Sequence, residues 1–255
     1  MKIHQVRNAT ILLTYGDRTF LIDPFLAEKE AYPAFAGTAD PHLRNPRVDL
    51  KTPMETILDV DAVIVTHLHM DHWDEAAVRL IPKDMPIFVQ DYSDAQLMAL
   101  QGFTNVAPLA RETKFGRVTM TRTRGQHGSD AALDAAGARL GSVCGVVFRA
   151  EGERTLYLAG DTVWNDMVKR NLETFRPEVV IVNAGDAQIE GLGSIIMGKE
   201  DVRRVFEATG AQIVAWHMEA VNHCRLSRAE LRDFAAANGM DGRLSVPEND
   251  EVLEF

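Results

Sequence analysis

Strand-like runs that end in histidine or aspartate constrain this chain more than any other feature. Val63-Ile64-Val65 leads to His67, His69, Asp71 and His72. Val118-Thr119-Met120-Thr121 leads through Gly125 to His127, and Leu156-Tyr157-Leu158-Ala159-Gly160 leads to Asp161. Ile213-Val214-Ala215-Trp216 leads to His217. The uninterrupted apolar run before His67 suits a strand covered on both faces. Loops at the carboxyl ends of such strands are where open α/β sheets place ligands. Five of the eight histidines lie in those loops.

The rest of the chain fits a layered α/β protein, strands inside and helices outside. Thr10–Thr14 and Thr19–Ile22 flank Tyr15-Gly16-Asp17-Arg18 as a hairpin. Residues 25–56 contain Pro33, Pro41, Pro46 and Pro53 and hold no period, so a long loop is expected, of the kind that is often functional. Asp74 is expected to cap a helix running to Leu80, and Ser93-Asp94-Ala95-Gln96 has capping-box spacing. A helix is expected from Asn165 to Phe175, and others over 199–208 and 227–237. Gly210 and Gly239 stand in C-cap positions for the last two, and Ser227 with Glu230 forms a second capping box. Strands are expected over 114–123, 142–160 and 179–182, with a turn at Glu151-Gly152-Glu153. With 255 residues, one domain over 1–255 is expected.

Charge narrows the partners. The formal net charge is −10, which opposes phosphodiester backbones and anionic lipid, so neither nucleic acid nor membrane is expected. No apolar run reaches the roughly 18 residues that span a bilayer. Met1–Asn8 lacks the apolar stretch of a secretion signal, so the cytoplasm is expected. Cys144 and Cys224 are expected to be small buried apolar residues, not a disulfide framework. Self-association stays open.

The run Thr66-His67-Leu68-His69-Met70-Asp71-His72 carries the chemistry. Extended residues two apart point the same way, so His67 and His69 can grip one cation together. A tight turn after Met70 lets Asp71 and His72 face a second. Imidazoles and carboxylates suit zinc, manganese or iron. Two such cations about 3.5–4 Å apart can share a hydroxide, because the pKa of bound water falls towards about 7. That hydroxide attacks an electrophilic carbonyl or phosphorus. Asp71 could orient it and later pass a proton to the leaving group.

This run resembles the metal-binding signature of the metallo-β-lactamase-fold hydrolases, and His127, Asp161 and His217 follow in that superfamily's order. Arg7–Leu13, Leu21-Ile22-Asp23-Pro24, and the stretch from Met197-Gly198 to His217-Met218-Glu219-Ala220 resemble the branch that contains the ascorbate-phosphate lactonases. The resemblance implies a four-layer αββα sandwich. It implies that His67, His69 and His127 bind one metal, that Asp71, His72 and His217 bind a second, and that Asp161 bridges them. Two divalent ions are implied, zinc first, with manganese or iron as substitutes. The expected activity is hydrolysis of a small ester, lactone or phosphate-bearing molecule. A nuclease of the same fold, a mononuclear-iron dioxygenase and a non-catalytic metal-binding module are the rivals.

Other residues carry two readings each. Asp23 can hold a ligand histidine or only a turn. Glu219 and His223 can line a substrate pocket, or His223 can simply pack. Asn183 and Asp186 follow a strand towards the same edge. Trp73 can pack or form a pocket wall. His42, Arg44 and Arg47 can meet an anionic substrate or only solvent, and His4 reads as a surface strand residue.

Overall fold

A computed structural model describes residues 1–255. The first half builds β1 (Lys2–Arg7), β2 (Thr10–Tyr15), β3 (Arg18–Ile22), α1 (Met54–Leu58), β4 (Ala62–Val65), α2 (Glu75–Leu80), β5 (Ile87–Val89), α3 (Tyr92–Leu100) and β6 (Val106–Pro108). The second builds β7 (Thr113–Phe115), β8 (Val118–Arg124), α4 (Asp130–Leu140), β9 (Cys144–Arg149), β10 (Leu156–Leu158), α5 (Asp166–Phe175) and β11 (Val179–Asn183). There follow a two-stranded ribbon, β12 (Gln188–Ile189) and β13 (Gly193–Ser194), then α6 (Lys199–Ala208), β14 (Gln212–Trp216), α7 (Arg228–Ala237), β15 (Leu244–Ser245) and β16 (Glu251–Glu254).

Two seven-stranded sheets result, ordered β16-β1-β2-β3-β4-β5-β6 and β15-β14-β11-β10-β9-β8-β7. Their alternation explains the apolar runs. Ile64 in β4, Leu158 in β10, Ile181 in β11 and Val214 in β14 pack between the sheets. Val63 and Val65 turn outward onto Ala76, Ala77 and Met98 of α2 and α3. Tyr157, Val180, Val182 and Ala215 turn outward onto Val168, Val202 and Leu231 of α5, α6 and α7. The layers are therefore helix, sheet, sheet, helix, the αββα sandwich. β3 to β6 run parallel, as do β10, β11, β14 and β15. β9 pairs antiparallel to both β8 and β10, so β8 shares their direction. The carboxyl ends of β4, β8, β10 and β14 thus meet at one edge of the sandwich, and Cys144 N donates to Thr66 O across it at 3.3 Å.

Several caps agree with expectation. Asp74 accepts from Ala77 N and the Ser227–Glu230 box is complete; Asn165, expected only to begin α5, caps it by accepting from Met167 N and Val168 N. Two differ. Asp91, not Ser93, caps α3: its extended backbone lets the carboxylate take both Ser93 N and Asp94 N. Gly210 does not close α6. The chain turns extended at Thr209, and the Arg243 guanidinium takes the carbonyls of Phe206, Thr209 and Ala211 instead. Gly239 does adopt φ +65° behind α7. No helix is long and apolar enough to cross a membrane.

Candidate metal centre

All seven side chains singled out by the strand ends meet at that edge. His67 Nε2 lies 3.1 Å from His69 Nδ1, and His72 Nε2 lies 3.1 Å from His217 Nε2. Asp161 sits between the two pairs. Its Oδ2 is 3.7 Å from His67 Nε2, 3.3 Å from His72 Nε2 and 3.8 Å from His127 Nε2, and its Oδ1 is 3.8 Å from His217 Nε2. Asp71 Oδ2 is 3.2 Å from His217 Nε2. Three sets of potential metal ligands overlap here: His67-His69-His127, His67-His72-Asp161 and Asp71-His72-His217.

The outer nitrogens decide what the inner ones are. His67 Nδ1 faces Thr66 Oγ1 at 3.2 Å, and that hydroxyl already donates to Asp23, so the ring nitrogen is the donor. His69 Nε2 donates to Arg139 O at 3.0 Å and His127 Nδ1 to Ile195 O at 2.9 Å. His72 Nδ1 donates to Asp23 Oδ2 at 2.9 Å. Each of these four rings therefore has its outer N–H engaged, and in its neutral form it turns a lone pair inward, the arrangement typical of ligating histidines. His217 Nδ1 faces Cys224 Sγ at 3.6 Å. Bare nitrogens 3.1 Å apart repel one another unless a positive charge lies between them, so this donor set suits cations. The protein's own charges respond to the same geometry. Burial pushes His127 down to about 4. Burial would also lower His72, but Asp161, Asp23 and Asp71 outweigh it and raise it to about 10. Burial would raise Asp71 and Asp161, yet His72 and then His217 hold both well below the usual carboxylate range.

Backbone conformation positions these side chains. Gly160 has φ +70°, and a Cβ there would strike the Cys144 carbonyl, so only glycine lets the chain turn Asp161 inward. Asp23 and His217 also hold left-handed conformations, φ +48° and +61°, at the ends of β3 and β14. Strained non-glycine residues of this kind cluster at functional sites.

Among the residues with two readings, Asp23 holds His72, Thr66 N and Thr66 Oγ1. Asn183 donates to Asp161 Oδ1 at 2.6 Å and accepts from Trp216 Nε1. Asp186 instead takes Ser194 Oγ and Gln188 Nε2, away from the centre. Glu219 is turned away too, paired with Arg228 at the start of α7. Trp73 packs under α3, with Nε1 on Gln101. His42 and Arg44 are exposed, and Arg44 binds the carbonyls of Glu30 and Ala31. His4 bonds Asp250. Cys144 is the apolar core residue expected, whereas Cys224 is only partly buried and abuts His217, because the 217–224 turn folds back on that ring.

Beside the centre lies a cavity of about 250 Å³. His69, Asp71, His127, Asp161 and His223 form its polar side, Phe35, Met70, Leu140, Ile189 and Ile195 form its apolar side, and Thr38 and Arg139 complete the lining. That apolar wall is assembled from four separate segments, so no local pattern marks it. Asn8, which falls within the Arg7–Leu13 stretch, was given no role by the sequence. Its amide Nδ2 donates to Asp71 O at 3.1 Å and lies 3.4 Å from Asp71 Oδ2. A polar residue in the turn between two apolar strands is the only signal it leaves.

Known proteins bear on this geometry. The profile of the Beta-lactamase superfamily domain matches residues 18–218. UPF0173 protein YddR of Bacillus subtilis (strain 168) is 46% identical over 257 aligned positions, covering 100% of both chains. The crystal structure of isothiocyanate hydrolase from Delia radicum gut bacteria superposes with a TM-score of 0.97 at 50% identity, over 100% of this chain and 99% of that one. That of a possible metal-dependent hydrolase from Veillonella parvula DSM 2008 gives 0.98 at 42%, with the same coverage.

Proposed function

The chain belongs to the β-lactamase superfamily, and from that premise we propose that it is a metal-dependent hydrolase of a small, largely apolar substrate with an electrophilic carbon, isothiocyanates being the favoured class. One observation carries the reading: inward-facing lone pairs and two carboxylates converge beside a small cavity whose opposite wall is apolar. A volume of about 250 Å³ lies below the usual range for drug-sized ligands, which favours a compact substrate. The isothiocyanate hydrolase to which the chain is similar supports the class, since R–N=C=S joins an apolar group to an electrophilic carbon.

In this reading His67, His69 and His127 hold one cation, Asp71, His72 and His217 hold a second, and Asp161 lies between them. Zinc is the first choice, manganese or iron the substitutes. When bound, such ions supply Lewis acidity and lower the pKa of water from 15.7 towards about 7. The protein's own residues do the rest. Asp23, Thr66, Arg139 O and Ile195 O hold the imidazoles in the ligating tautomer. Asp71 stays ionised, fixed by Asn8, and can accept a proton from the attacking water and return it to the leaving nitrogen. The apolar wall seats R. Overall, R–N=C=S and water give R–NH2 and carbonyl sulfide, with both water protons ending on nitrogen.

The test is turnover with metal analysis. Protein loaded with zinc, manganese or iron is assayed on benzyl isothiocyanate, a small lactone, 4-nitrophenyl acetate and bis(4-nitrophenyl) phosphate. Amine release from the isothiocyanate should exceed every other rate and vanish on chelation. Turnover of the phosphodiester alone, or turnover that survives chelation, would refute the proposal.

A further inference from the structure

His223 faces the cavity with neither ring nitrogen hydrogen-bonded, although the residue is only 7% exposed. Nδ1 is sealed from solvent without a partner, which leaves Nε2 as the atom offered to the cavity. Unpartnered buried polar groups cost stability, and a plain packing residue would fill this position better.

The ring is also held in place. It stands edge-on to Phe35, centroids 4.8 Å apart and planes at 85°. Its carbonyl accepts from Gln188 N at 3.0 Å. The neighbouring Asn222 accepts from Phe35 N and Asn45 Nδ2 and donates to Thr38 Oγ1, stapling this turn to the long early loop. The same staple fixes both the ring and the wall it leans on. A sealed nitrogen tolerates an unmet lone pair better than an unmet N–H, so the proton belongs on Nε2. Burial lowers the ring's pKa to about 4, so it is neutral near pH 7.

We propose that His223 is a catalytic residue whose ring presents Nε2–H to the substrate and donates a hydrogen bond to the heteroatom that gains charge as the electrophilic carbon is attacked. The proposal rests on reading the site as a carbon-centred hydrolase. With an isothiocyanate, an O–C bond forms while the C=N π pair moves onto nitrogen. His223 stabilises that pair and loses no proton, since the hydrogens on the product nitrogen come from water. A fixed donor aimed where charge develops is the strongest simple contribution a side chain can make to such a step.

Two readouts test this. In zinc-loaded protein with ¹⁵N-labelled histidine, the His223 resonances, assigned by their loss in His223→Gln, should report the Nε2–H tautomer. An Nδ1–H tautomer overturns the proposal. In kinetics on benzyl isothiocyanate, His223→Phe should lose about 10²-fold in kcat with little change in KM and an unchanged zinc content. His223→Gln keeps an N–H donor and should recover part of that loss. Parent-like kcat in His223→Phe, or equal losses in both variants, overturns the donor role. If the parent enzyme leaves benzyl isothiocyanate intact, the substrate reading falls. His223 is then judged on its tautomer and on whether its Nε2 resonance moves when benzylthiourea is added; a resonance that stays put counts against it.

Discussion

The two sheets equip the site in opposite ways. The first contributes four polar side chains, His67, His69, Asp71 and His72, from one six-residue stretch behind β4. The second contributes three, one each behind β8, β10 and β14. A local turn brings the first group together, and distant partners such as Asp23 and Asn8 then fix its rings and carboxylate. The second group is placed only if three strands keep their register, since a one-residue slip would turn each side chain to the other face. The seam between the groups is Asp161, whose two oxygens face histidines from both sheets.

That contrast can be broken most sharply at the seam. Asp161→Ala removes the one carboxylate shared by both proposed cations, so kcat/KM should fall beyond the about 10³-fold that loss of a single transition-state contact costs. Metal analysis should find neither ion at full occupancy; an unaltered metal content would separate the two groups. His69→Ala touches only the His67-His69-His127 set. It should deplete one ion and spare the Asp71-His72-His217 set, so metal per chain should fall to about half that of the parent, a smaller loss than at Asp161. Asp23→Asn leaves every ligand in place but weakens the carboxylate that orients His72. A loss of about 10–100-fold in metal affinity is expected from such outer partners, measurable by competition with a chelator.

The smallest effect is on stability. Burial pushes His67 well below its ordinary value, and His127 and His223 down to about 4. For a group with a depressed folded-state pKa, stability is present above the unfolded value of 6.5 and drains away as pH falls towards 4, because the unfolded chain takes up protons first. The metal-free protein should therefore lose Tm across that window, and His223→Phe, which removes one of the three, should lose it less steeply. Coincident curves would mean that His223 is not a buried neutral imidazole.

Much of this was legible beforehand, for an identifiable reason. The apolar runs at β4, β10, β11 and β14 announce strands buried on both faces, and a histidine or aspartate directly behind such a run has few places to go except the sheet edge. Caps that depend on one side chain and the next few amides, such as Asp74 and Ser227, were equally readable. Where two local solutions compete, reading failed. Asp91 outcompeted Ser93 because its carboxylate reaches two amides, and Arg243, from 33 positions away, did the work assigned to Gly210.

By itself, then, the sequence determined the layered strand-and-helix class and which side chains could serve as ligands, because periodicity and strand-end position are local properties. Only the tertiary structure decided which nitrogen of each imidazole faces inward, that Asn8, Asn183 and Asp23 support the carboxylates and rings, and that Phe35, Leu140 and Ile195 line one cavity with His223. Those outcomes depend on partners far apart in the chain, and no local pattern can encode a hydrogen bond whose acceptor arrives from another layer.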